Sequence, residues 1–268
     1  MNPLRLALAA FLAAFLATCG AARTAPAPPP GLPAQISQEL ASRGPVVAAA
    51  VIQFFGSFNA FSADADLRVL DRAGAEVFSG PVTFARDGWR SRLDADASRA
   101  TSARVPSAAL TQLGALGVGT VAAIARPDQQ RGYALYPALS AYVEAPIPAN
   151  VAGAALAGTN ATIARVPLGN ETIDGHPCVK NQTTVTAPSG QSVQALVWNA
   201  TDLQDFPIQL QYADGYGTAT VKFKHVNLTQ PAASQFDVPG GYTKYTRETV
   251  PADIKATAKD ILKKALAK

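Results

Sequence analysis

Histidine is nearly missing from this chain, and its scarcity removes a range of chemistry at the outset: only His176 and His225 are present among 268 residues. A histidine zinc site needs closer or more numerous ligands, and His176 with Cys178 supplies at most two. There is no G-x-S-x-G elbow, no Walker loop and no H-E-x-x-H helix. Gly215-x-Gly217 meets Thr220 where a dinucleotide fingerprint wants glycine, so it reads as a turn. Three carboxylate pairs remain. Asp64 with Asp66 and Asp94 with Asp96 share the wet face of a strand, and Asp202 with Asp205 lie in a turn, so solvation explains all three better than acid and base work. The sequence therefore reads as non-enzymatic, with no cofactor and no metal implied.

Cysteine is equally sparse. Of the two, Cys19 lies in the export segment described below, which leaves Cys178 without an intramolecular partner in an oxidising compartment. No disulfide framework supports the fold, and Cys178 reads as a small buried residue on a strand.

Long apolar runs are missing too. The longest, Leu6 to Ala17, follows Arg5 and is about a dozen residues, short of the roughly 20 that a permanent span needs. With small residues after it, residues 1–22 have the layout of a secretory signal peptide. Leu16-Ala17-Thr18-Cys19 resembles the bacterial lipobox, in which the cysteine is lipidated. The alternative is cleavage after Ala21 or Ala22, which discards Cys19. Residues 23–34, opening RTAPAPPPGLP, form a proline-rich linker. The expected location is periplasmic or secreted, with membrane attachment through Cys19 if that residue carries a lipid.

What is present is a turn-rich globular body: 48% hydrophobic and 16% charged residues, with 20 glycines and 20 prolines. Residues 35–250 lie within the range of one all-β domain. The net charge of +4 is mild, and basic residues scatter without aromatic interleaving, which excludes a nucleic-acid groove.

Periodicity supplies the elements. Gly44-Pro45 opens a buried helix over 46–58, with Val47, Val51, Phe54, Phe55 and Phe58 on one face. The period then changes to two: Phe61, Ala63, Ala65, Leu67 and Val69 alternate with Ser62, Asp64, Asp66 and Arg68. Similar runs recur at about 76–86, 88–96, 119–126, 131–136, 141–145, 160–166, 178–186, 191–198, 207–213 and 217–228, giving eleven candidate strands. Tight turn chemistry at Arg72-Ala73-Gly74, Arg126-Pro127-Asp128, Pro188-Ser189-Gly190 and Asp214-Gly215 separates several of them and implies an antiparallel meander. Residues 105–118 suggest a short helix or lid on the concave side, 146–158 a looser alanine-rich connection, and 251–268 an amphipathic C-terminal helix packed on the outside of the sheet.

A sheet of about eleven strands twists and curls, and its concave face must be filled by apolar side chains, a plug helix or a ligand. Phe54, Phe55, Phe58, Phe84, Trp89, Tyr142 and Trp198 are the candidate lining.

Several stretches also carry a resemblance: Phe54-Phe55-Gly56-Ser57-Phe58 to Asp66, Ile124-Ala125-Arg126-Pro127-Asp128 to Glu144, Gly169 to Cys178, Ala195-Leu196-Val197-Trp198-Asn199 to Leu203, and Phe236 to Tyr245 with Pro239-Gly240-Gly241-Tyr242. Together they resemble an uncharacterised family of secreted bacterial proteins grouped with the LolA/LolB-like lipoprotein carriers. The resemblance implies a mainly β fold: one curved antiparallel sheet of about eleven strands forming a half-open barrel, with plug helices on the concave side. It also implies a non-enzymatic, monomeric binder of a lipid or lipoprotein acyl chain. An envelope sensor or protein-interaction module on the same scaffold, without bound lipid, is the alternative.

Overall fold

A computed structural model describes residues 50, 53–103, 105–156, 160–214 and 217–246, with scattered positions from 249 to 256. The export segment, the proline-rich linker, Cys19 and most of the expected C-terminal helix lie outside the described residues.

The alternation that begins at Phe61 builds β1 (Ala60–Asp71), whose apolar positions are buried and whose charged positions are wet. It is followed by β2 (Glu76–Asp87), β3 (Arg90–Asp96) and the two-residue β4 (Thr101–Ser102). Then come helix α1 (Ser107–Ala115), β5 (Thr120–Arg126), β6 (Arg131–Tyr136), β7 (Ala141–Pro146) and helix α2 (Ala149–Leu156). The second half holds β8 (Thr162–Ile173), β9 (His176–Thr186), β10 (Ser192–Ala200), β11 (Phe206–Asp214), β12 (Gly217–Asn227) and the short β13 (Thr243–Tyr245).

All belong to one sheet, in the order β13-β7-β6-β5-β3-β2-β1-β12-β11-β10-β9-β8, with β4 beside β2. Each pairing is antiparallel except β13 on β7. The central contact is β1 with β12, which joins the two halves of the chain. All eleven expected strands are present, and β4 and β13 are additions too short to announce themselves by alternation.

Local chemistry explains the corners. Asp71 Oδ1 accepts the backbone N–H groups of Ala73 and Ala75, both at 2.9 Å, and Gly74 takes φ 82° to close the turn. Asp174-Gly175 joins β8 to β9 in a two-residue hairpin with both residues at positive φ, 49° and 89°, the conformation an Asp-Gly pair favours. One connection differs from expectation: 149–156 is a helix, because Pro148 starts it, accepting from Val151 and Ala152 N–H, and alanine sustains it.

The sheet curls toward the side that carries Phe61. Phe84 of β2 and Phe223 of β12 are two strands apart, about 10 Å on a flat sheet, yet their ring centroids are 6.3 Å apart. Phe61 and Phe206, separated by the same two steps, approach to 5.0 Å. The helical turn at 53–55 sits in the hollow: Phe55 packs with Phe84 of β2, while its neighbour Phe54 joins a cluster with Val185 of β9 and Val197 of β10. Two adjacent residues reach strands at least four places apart only if the sheet wraps around them.

The outer face is covered on one half. Ala85, Ala122, Ile124 and Leu135 are capped by Phe236, with Val238 and Tyr242 beside it. The strap carrying Phe236 is held by Arg126, which pairs with Asp237, by Arg92 Nη1 donating to the Gln235 carbonyl at 3.0 Å, and by Arg90 lying over the Phe236 ring.

Candidate functional site

The concave face has two unlike halves. On β1, β2, β11 and β12 it is filled by aromatic rings. Phe55 lies 4.8 Å from Phe61, 5.9 Å from Phe84, 6.0 Å from Phe206 and 5.6 Å from Phe223, and Phe58 meets Phe206 edge-on at 5.1 Å. On the other half, register carries the same face from Phe84 and Val82 to Leu93 and Ala95 of β3, and from there to Ala123 and Val121 of β5. It continues to Ala134 and Gly132 of β6, then to Val143 and Ala145 of β7. Alanine and glycine there stand among the larger Leu93, Val121 and Val143, and Leu93, Ala123, Ala134 and Ala145 are buried.

At the boundary between the halves stands Arg86. It shares strand parity with Val82 and Phe84 and sits directly opposite Phe61, which places it on the apolar face, and only 3% of it is exposed. Its Nε donates to the Gly88 carbonyl at 2.8 Å, and its guanidinium carbon lies 5.7 Å from the Phe55 ring centroid. Burial pushes its pKa down to about 10, still far above neutrality. Sequence reading missed it, although its parity with Val82 and Phe84 was the available signal.

The seven candidate lining residues separate. Phe54, Phe55, Phe58 and Phe84 come together in the hollow. Trp89 sits in the β2–β3 turn and is half exposed. Tyr142 lies on the opposite side, among the residues under Phe236, with its ring 6.2 Å from Tyr133. Trp198 shares its row with Gln209, Lys222 and Asp66, the charged outer row. There its indole Nε1 donates to Glu171 at 2.6 Å, with Lys180 over the ring. Lys180 first, then Trp198, holds the Glu171 carboxyl below its ordinary range.

Several polar groups are engaged in pairs on the outside. His225 Nδ1 meets Asp64 at 2.9 Å, His176 Nδ1 meets Asp202 at 2.8 Å, and Lys224 pairs with Asp66. Among the described residues, no three His, Cys, Asp or Glu side chains gather as metal ligands. Cys178 is buried, and that burial pushes its thiol pKa up, making it a poor nucleophile. No helix among the described residues is long and apolar enough to cross a membrane.

The chain is similar to solved structures of one architecture. The mycobacterial lipoprotein LppX, from Mycobacterium tuberculosis, is 14% identical with a TM-score of 0.36, covering 72% of this chain and 98% of that one. A LolA superfamily protein from Nitrosomonas europaea is 11% identical with a TM-score of 0.35, covering 73% and 96%. An outer membrane lipoprotein-sorting protein domain from Vibrio parahaemolyticus is 7% identical with a TM-score of 0.23, covering 74% and 97%. No family model and no curated protein matches the chain. Identities and TM-scores this low say nothing of function, which has to be argued from the chain's own residues.

Proposed function

We propose that this is an exported, non-enzymatic binding protein that holds an acyl chain against the concave face of its sheet, with Phe55 and Phe84 bordering the chain. The supporting observation is the contrast within one face: rings fill the half around β1, whereas the other half carries Ala95, Ala123, Ala134 and Ala145 among Leu93, Val121 and Val143. A packed layer over a sheet is about 10 Å deep, and alanine fills little of it. Each methylene moved from water onto such a floor is favourable by about 0.8 kcal/mol, so a chain of a dozen or more carbons is a fitting occupant. Export rests on the signal layout of residues 1–22.

Organic extraction of protein purified from the periplasm, followed by mass spectrometry, tests the reading. A stoichiometric acyl lipid, and displacement of a fluorescent apolar probe by added lipid, are the expected results. Protein that carries no lipid and binds no probe would sink it. Metabolic labelling with a tagged fatty acid addresses the anchor separately: label lost in Cys19→Ala places it at that cysteine.

A second reading, a protein-interaction module, has its own support at the edge of the sheet. β8 pairs with β9 on one side only, and Val166 and Leu168 on it are exposed, a row suited to a partner strand. Pro167 and the register shift between Pro167 and Gly169 blunt that edge, which favours the first reading.

A further inference from the structure

Arg86 is the group that packing alone does not account for. A guanidinium stays charged at neutral pH, and a buried ion needs a counter-charge or a full set of acceptors. Arg86 has neither. Its Nε is taken by the Gly88 carbonyl, but its Nη1 is buried and has no hydrogen-bond partner among the described residues. The adjacent carboxylate is committed elsewhere, since Asp87 pairs with Arg90 and accepts from Gln230.

Position adds a second, independent fact. One row of the concave face runs through Phe61, Arg86, Ser91, Ala125, Gly132 and Ala145 across β1, β2, β3, β5, β6 and β7. The unpartnered donor therefore stands where the aromatic half ends and the small-residue floor begins. A ligand whose tail lies on that floor brings its end to Arg86.

Resting on the acyl-binding reading above, we infer that Arg86 Nη1 receives the carboxylate of a single-chain fatty acid whose tail runs over Ala125, Gly132 and Ala145. The unused N–H groups of Nη1 and one uncompensated positive charge match one carboxylate. A neutral ester leaves the charge unbalanced, and a phosphate dianion demands more donors than the residue has free. The Phe55 ring that covers the guanidinium is the group that moves aside as the carboxylate enters.

The experiment compares oleate with methyl oleate, both delivered from cyclodextrin, in displacing a fluorescent apolar probe from the delipidated mature protein. Oleate should bind about tenfold or more tightly than its ester, as a charge-assisted hydrogen bond predicts. Arg86→Met should bind the two within about twofold of each other, and Arg86→Lys should keep part of the preference. Circular dichroism and cooperative urea unfolding report that the variants fold. Equal binding of acid and ester by the unmodified protein, or a preference that survives in Arg86→Met, overturns the carboxylate site and leaves acyl binding standing. Failure of both ligands to displace the probe overturns both readings. Should Arg86→Met fail to fold, the acid-to-ester ratio of the unmodified protein and the Arg86→Lys ratio still decide.

Discussion

Phe61 and Arg86 face each other across the β1–β2 pair, so a ring with no exposed surface and an almost fully buried guanidinium occupy neighbouring places in one row. The pairing sets an apolar demand and a charge side by side within the buried core.

Stability should rise when that charge is removed. The drop of the Arg86 pKa from the ordinary arginine range to about 10 corresponds to roughly 3 kcal/mol of unfavourable burial, against about 1 kcal/mol for the lost Nε bond to Gly88. Arg86→Met should therefore be about 1–2 kcal/mol more stable, seen as a higher urea midpoint with unchanged slope. The sign follows from a depressed base: the cost is in place below the folded value and is relieved as pH rises above about 10 toward the ordinary arginine range. The difference between the two proteins should accordingly shrink across that interval. A variant less stable at pH 7 would mean that the guanidinium has acceptors that its surroundings do not reveal.

The outer strap should matter through its ring rather than its charge. Phe236 is completely buried over Ile124 and Leu135, so Phe236→Ala should cost about 3–5 kcal/mol. Asp237 is 58% exposed in its pair with Arg126, so Asp237→Asn should cost less than about 1 kcal/mol. Urea unfolding of the two variants ranks them, and the reverse order would show the strap to be tethered electrostatically. Because Phe236 lies on the opposite side of the sheet from Phe84, probe affinity of folded Phe236→Ala should match that of the unmodified protein.

Acid should weaken the same corner. The Arg126 guanidinium, donating to Asp128 from Nη2 at 2.9 Å and Nε at 3.1 Å, holds the Asp128 carboxyl below its ordinary range. A lowered carboxylate contributes stability that is fully present above the unfolded value, about 4, and is lost as pH falls through the folded one. Measured from pH 6 down to pH 2, the stability gap between the unmodified protein and Asp128→Asn should close below about pH 4. A gap constant over that range would remove the pair from the acid response.

Much of the architecture was readable locally. Alternation in β1, or in Arg90 to Asp96, depends on residues two apart, and an Asp-Gly hairpin such as 174–175 depends on its own backbone. The face that each parity presents was harder to read. Tyr142 belongs to an alternating run yet turns outward, and Trp198, though buried in the main core cluster, shares its register row with Lys222 and Asp66, because parity acquires a side only through register with strands far away in sequence. The Phe236 strap makes the matter harder still: with the outer face of β3, β5 and β6 also covered, apolar residues occur on both sides of the same strands.

The amino-acid sequence determined by itself the turns and most of the strands, since each arises from neighbouring residues and their steric preferences. Only the tertiary structure decided that β12 lies beside β1, that Phe61, Phe206 and Phe223 converge as the sheet curls, and that Arg86 is enclosed with a donor to spare. Those outcomes are set by pairings between segments more than a hundred residues apart, and burial is a property of what the folded chain places around a residue.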